Sequence, residues 1–288
     1  MSKAVYRRWL AAATFASVAG WTVVTGAQPP KTALPLEPQH ERGASITPAF
    51  EGWFENTDGS FSFLLGYYNR NSKETLDIPV GPKNRVEPGP VDQGQPTFFE
   101  TGRQWGVFSI KVPKDFGTKS LKWTIVSNGE EQSIPLTLNK GYPISPLKEL
   151  GMGNQPPVLS FAQGGPKFTG PPVATAATLN GTVDQPVTLS VWVEDPKAPH
   201  AEPSGRGGFF GSSSISTVSL HKFRGPGAVK FEKARLPVAK QGDMVTTTAT
   251  FSAAGEYTLR VQANDESGEG GGGFQCCWTN TYVKVSIK

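Results

Sequence analysis

The most reactive side chains in the 288-residue chain are its only cysteines, Cys276 and Cys277, which are adjacent and precede Trp278. Three chemistries fit such a pair. The two thiols can close a vicinal disulfide, a small ring that is readily reduced and in some proteins regulatory. Two thiolates can hold a soft metal such as Cu(I), with distant His200 or His221 as further ligands, although metal sites space their cysteines as in C-x-x-C. In the third, one cysteine is a small buried residue and the other an exposed thiol. None of these lets an adjacent pair staple remote parts of the chain, so the fold must rest on apolar cores.

Trp192 and Trp278 are the candidate binding residues. On the strand around Trp192, Val187, Leu189, Val191 and Val193 share one face, which leaves Trp192 on the other with Ser190 and Glu194. An outward tryptophan is a binding platform or is covered by a loop, here the long insertion 196–214. Trp53, Trp105, Tyr67 and Tyr68 are either sugar-stacking aromatics or core and strand-edge residues. Support for catalysis is thin. His40, His200 and His221 fall in a tether, a loop and a strand, and no G-x-S-x-G, H-E-x-x-H or phosphate-cradling loop occurs. No acid pair stands out as a glycosidase dyad. The expectation is a protein that is not an enzyme and needs no cofactor.

The elements that would position these residues are strands. Phe61, Phe63, Leu65 and Tyr67 alternate after an Asp58-Gly59 turn signal; Leu76, Ile78 and Val80, then Phe108, Ile110 and Val112, repeat the period of two. Leu121, Trp123 and Ile125 follow, and Asn128-Gly129 turns them toward Ile134, Leu136 and Leu138. Further on, Val245 to Phe251, Tyr257 to Ala263 and Val283 to Ile287 keep the same period. Tyr257, two residues before Leu259 and just after Gly255, fits a tyrosine corner, whose hydroxyl bonds backbone upstream. With 33 glycines and 25 prolines the composition favours short strands and many turns over helices. The reading is all-β, two tandem immunoglobulin-like antiparallel β-sandwiches after a signal peptide: 1–27 signal peptide, 28–45 proline-rich disordered tether, 46–140 first sandwich, 141–157 linker, 158–288 second sandwich.

The signal peptide rests on Lys3, Arg7 and Arg8 ahead of an uncharged stretch, with small Thr25 and Ala27 before Gln28. Export to the periplasm or extracellular space follows, with no transmembrane span after cleavage. Those three basic residues supply most of the formal net charge of +4. A near-neutral mature chain lacks the basic field nucleic acid requires.

Ala253-Ala-Gly-Glu-Tyr-Thr-Leu-Arg-Val-Gln-Ala-Asn-Asp265 resembles the penultimate strand of PKD-like and cadherin-like domains. Arg224-Gly-Pro-Gly-Ala-Val-Lys-Phe231, Thr248-Ala-Thr-Phe-Ser252 and the entry Asn154-Gln-Pro-Pro-Val158 extend the resemblance over about 154–288. The PKD tryptophan-and-glycine turn is missing, which places the chain near that family rather than inside it. Residues 49–127 are similar to a segment of uncharacterised exported bacterial proteins through Asn69-Arg-Asn, Ile78-Pro-Val-Gly-Pro82 and Gly94-Gln-Pro-Thr97. The cadherin-like resemblance implies calcium at acidic strand ends, with Asp195, Asp265 and Glu266 as ligands; solvated turn acids are the plainer alternative. Both resemblances imply adhesion, scaffolding or accessory binding to a protein or polysaccharide of the cell surface. A redox- or metal-responsive role for the cysteine pair, or an accessory role in polysaccharide processing, are the other readings.

Overall fold

The computed structural model describes residues 39–148, 150, 153–172, 174–196, 216–265 and 276–288. The signal-peptide and most tether residues, the insertion 197–215 and the glycine-rich stretch 266–275 lie outside the described residues. Leu34–Lys288 make up one compact unit. No helix among the described residues is long and apolar enough to cross a membrane.

The first half begins with β1 (Ile46–Glu55) and β2 (Phe61–Asn69), followed by β3 (Leu76–Asp77), β4 (Asn84–Glu87), β5 (Phe98–Phe99), β6 (Gly102–Val112), β7 (Ser120–Ser127) and β8 (Glu130–Thr137). One sheet runs β1-β2-β6, a second β4-β7-β8, and β3 pairs with β5. The β7–β8 hairpin is as tight as its sequence asks. Asn128 and Gly129 both have positive φ, at 49° and 85°, and Ser127 pairs with Glu130 across them. The alternation at Leu76, Ile78 and Val80 yields a shorter strand than its period suggests. β3 stops at Asp77 because Pro79 has no N–H to extend the ladder. Upstream, residues 39–45 run beside the end of β2: His40 bridges Asn71, and Ala44 and Ser45 are buried. The proline-rich stretch after β8 follows β1, with Trp53 N donating to Tyr142 O and Ile144 N to Trp53 O.

The second half contains β9 (Val158–Ser160), β10 (Thr175–Gly181), β11 (Val187–Glu194), β12 (Ser216–Arg224), β13 (Val229–Phe231), β14 (Arg235–Val238), β15 (Met244–Phe251), β16 (Gly255–Asp265) and β17 (Trp278–Ile287). Its two sheets run β10-β17-β16-β12-β14 and β13-β15-β11-β9. All pairs in them are antiparallel except β10 with β17. The fold is an all-β, immunoglobulin-like sandwich. Inward Leu189, Val191, Val261, Val283 and Val285 fill the space between the sheets. Tyr257 closes one end: its hydroxyl donates to Ala253 O at 2.8 Å and accepts from Gly227 N at 3.0 Å, which is the tyrosine corner. Gly225 and Gly227 allow this close approach, since a Cβ at Gly225 would stand 2.1 Å from the ring.

Candidate functional site

Strand alternation sends Tyr257, Leu259, Val261 and Ala263 of β16 into the second core, so Arg260, Gln262 and Asn264 point to the opposite face. Such a polar face ordinarily meets water. Here Arg260, Gln262, Asn264, Ser219 of β12 and Asn280 of β17 are all buried. The first half covers part of this face. Arg260 Nη2 donates to Gln104 Oε1 of β6 at 2.6 Å, and its Nη1 donates to Gln262 Oε1 at 3.0 Å. Asn280 Nδ2 donates to Gly106 O at 2.9 Å, and the Tyr282 hydroxyl to Val107 O at 2.9 Å. At the apolar end of the junction, Phe223 of β12 belongs to the first half's core, and Tyr282 packs against it.

Gly106 is the tightest point. It sits at φ +52°, and a Cβ there would lie 2.0 Å from Trp278 Cη2. Its N–H donates to Glu51 Oε2 at 2.8 Å, while Arg103 Nη2 donates to Glu51 Oε1 at 2.7 Å. Burial pushes the Glu51 carboxyl above the usual carboxylate range, and Arg103 and the Gly106 N–H only partly offset it. Arg103 also stacks over the Trp105 ring, with Cζ 3.8 Å from its centroid.

Three ion pairs cross the junction. His221 Nδ1 stands 2.6 Å from Glu100 Oε2, Lys222 Nζ 2.9 Å from Asp77 Oδ2, and Arg224 engages Asp92 through two hydrogen bonds of 2.7 and 2.8 Å. Burial raises the Glu100 carboxyl, but the His221 hydrogen bond and charge outweigh it and hold the group below its ordinary value. The bidentate Arg224 fork holds Asp92 low.

Cys276 and Cys277 lie at the head of β17, buried, and their sulfurs are bonded to each other across a cis peptide bond. Cys276 Sγ is 3.9 Å from Asn154 O. A disulfide sulfur has no proton, so this is a contact rather than a hydrogen bond. Cys277 O accepts from Asp265 N at 3.4 Å. The sequence offers Trp278 for binding; the structure commits its buried ring to Gly106 and the junction.

Of the acids implied as calcium ligands, Asp195 and Asp265 lie among the described residues. The Asp265 carboxylate accepts from Asn154 Nδ2, and Asp195 is buried with its backbone N–H donated to Gln241 Oε1 at 2.6 Å. Glu266 and His200 lie outside the described residues, and no metal-sized group of three His, Cys, Asp or Glu occurs among those described. Trp192 is half-buried on the outward face of β11, opposite Met244 and Ser160.

No family model and no curated protein matches the chain. Among solved structures it is similar to the D00-D0 domain of intimin, at 10% identity over 84% of this chain and 99% of that one, TM-score 0.27. The Yersinia pseudotuberculosis adhesin InvE is matched at 12% identity over 84% of this chain and 58% of that one, TM-score 0.25. Domains 4 and 5 of the S-layer protein SbsC are matched at 12% over 59% and 65%, TM-score 0.24. This chain therefore spans less than two thirds of the InvE and SbsC structures, and likenesses this distant carry no argument about its ligand.

Proposed function

We propose that the protein is an exported, non-enzymatic binding or scaffolding protein of the cell envelope or extracellular space, with a surface protein or polysaccharide as partner. One observation carries this reading: the ionisable groups of the junction are engaged with one another. Glu100, Asp77 and Asp92 of the first half are held by His221, Lys222 and Arg224 of the second, and Glu51 by Arg103. General acid–base catalysis needs such groups turned toward a substrate. Here they lock two sandwich halves in one orientation, which suits a rigid presenting platform. The signal-peptide pattern of residues 1–27 and the PKD-like and cadherin-like resemblance of 154–288 support an extracytoplasmic setting. The test is sedimentation with envelope and cell-wall fractions beside an ester, glycoside and peptide hydrolysis screen. Saturable co-sedimentation with no turnover above the buffer rate is expected. Turnover proportional to protein and abolished by His221→Ala would overturn the reading.

A second reading is favoured by the bonded sulfurs of Cys276 and Cys277, next to the Trp278–Gly106 contact. In it, a dithiol reductant opens the pair and so alters the junction, each reductant molecule being oxidised to its own disulfide as the two protein thiols form. Intact-mass measurement before and after such treatment checks it, since reduction adds two hydrogens.

A further inference from the structure

The outward face of the β13-β15-β11-β9 sheet carries rows of small hydroxyl side chains. Its cross-strand rows pair Thr188 with Thr248, Ser190 with Thr246, and Trp192 with Met244 on one side and Ser160 on the other. Thr188, Thr246 and Met244 are exposed, and Ser190, Thr248 and Trp192 half-buried. Rows on one face of a sheet recur about every 6.8 Å along the strands. The result is a flat field of hydroxyls with a tryptophan at one end.

We infer that this face binds a neutral polysaccharide chain. The inference rests on the binding-protein reading and names its partner class. Charge is the first argument. The Thr188, Ser190 and Trp192 rows hold no ionisable residue, and the charges at their edges are mixed: Lys167 and Glu194 pair at 2.7 Å beside Trp192, and Lys230 and Glu232 stand on the β13 side. With two charges of each sign, the face has no single-sign field for a polyanion or polycation, and its centre offers hydroxyls to a neutral polyhydroxylated chain. The hydroxyls are the second. Ser190 Oγ and Thr246 Oγ1 lie 3.0 Å apart and Thr248 Oγ1 donates to Glu232 at 3.2 Å, so each retains lone pairs for a sugar hydroxyl. Trp192 is the third, because an aromatic face attracts the polarised C–H groups of a pyranose ring. Threonine and tryptophan both suit a strand by propensity; what sets this face apart is that Trp192 lies in register with exposed Met244 at the end of the hydroxyl rows.

A protein partner fits less well. Protein interfaces centre on clusters of apolar anchors. Among the described residues, the exposed large apolar ones apart from Met244 are Val91, Tyr142, Leu147 and Leu150, all outside this sheet. The cleft beside Trp192, floored by Gly164, Gly165 and Gly242, has a volume of about 90 Å³. That is below the roughly 300 Å³ of an enclosing ligand pocket, so the ligand lies across the face.

The experiment is a pull-down of the full chain on amorphous cellulose, xylan and a polyanionic pectate, repeated on envelope material. Saturable retention on a neutral polysaccharide but not on pectate is expected. Trp192→Ala should weaken it about tenfold, in the range of a single aromatic anchor. The pair Ser190→Ala with Thr246→Val, which removes both hydroxyls without added bulk, should weaken it about threefold or more with the melting temperature held. Retention on pectate alone, or neutral-glycan retention that both variants leave unchanged, overturns the inference. Envelope binding that is protease-sensitive and indifferent to Trp192→Ala overturns it too, yet leaves the binding-protein reading intact. If the wild type binds neither polysaccharide nor envelope material, both fall.

Discussion

Arg260 makes the junction between the halves measurable. Arg260 is 2% exposed, and it donates to amide oxygens: Gln104 at 2.6 Å across the junction, Gln262 at 3.0 Å along its own strand and Asn280 at 3.5 Å on β17. Gln104→Ala removes the acceptor supplied by the first half and leaves a buried cationic N–H under-satisfied. A hydrogen bond to a charged group contributes about 1.5–3 kcal/mol, and the stranded donor adds its desolvation cost. We expect Gln104→Ala to destabilise the protein by roughly 2–3 kcal/mol, which in a chain of this size lowers Tm by about 4–12 °C. Arg260→Met keeps the bulk and removes the charge. In the double variant the Gln104 oxygen no longer matters, so the two losses should be non-additive by about 1–2 kcal/mol. The assay is urea unfolding followed by far-UV circular dichroism, with intrinsic fluorescence as a second probe. A coupling energy below about 0.5 kcal/mol would mean that the bond does not tie the halves together, and the junction would then be only a contact.

Gly106→Ala should be the most damaging small substitution, by about 3 kcal/mol or more, since it forces a side chain onto φ +52° and into the Trp278 ring; calorimetry reads the loss. Glu51 and Glu100 should give opposite pH signatures. Glu51, held above its ordinary value, favours the folded state more as pH falls and loses that contribution as pH rises through its folded pKa, so wild type should gain on Glu51→Gln with acidification. Glu100, held below its ordinary value, supports the fold above the usual carboxylate range and loses that support as pH falls, so wild type should lose ground to Glu100→Gln; denaturant midpoints across pH 4–8 check both. Fragments 46–140 and 154–288 should each melt cooperatively, because each holds most of a core cluster, but at lower temperature than the whole chain, since 46–140 loses Phe223 and Tyr282 from its core.

Strands with one apolar face were legible from period two alone: β7, β11 and β15 fall where alternation puts them. β1 and β10 were not, because Pro48, Gly52 and the bulge there break the pattern of β1, and β10 is a largely exposed edge. β2 is buried along most of its length, including Ser62, Leu64 and Gly66, which alternation alone would send to solvent. The junction was illegible for a related reason. Arg260, Gln262, Asn264 and Asn280 carry the signature of a solvated strand face, and nothing local tells that a second sandwich removes the water. Trp278 stood out in the sequence, but as a binding residue, and Gly106, a glycine inside a strand, did not stand out at all. The tyrosine corner was readable because its partners lie within a few residues.

The parallel pairing of β10 with β17 has a mechanical consequence. β10 runs beside β17 from Thr175 against Tyr282 to Gly181 against Ile287. Tension applied between the residues before β10 and the end of β17 pulls these neighbours in opposite directions along their common axis. Their hydrogen bonds are then loaded together in shear, not opened one at a time from an end. A clamp of that kind resists rupture through a high barrier to unfolding rather than through equilibrium stability, so the second sandwich should withstand brief loads far better than its melting temperature suggests.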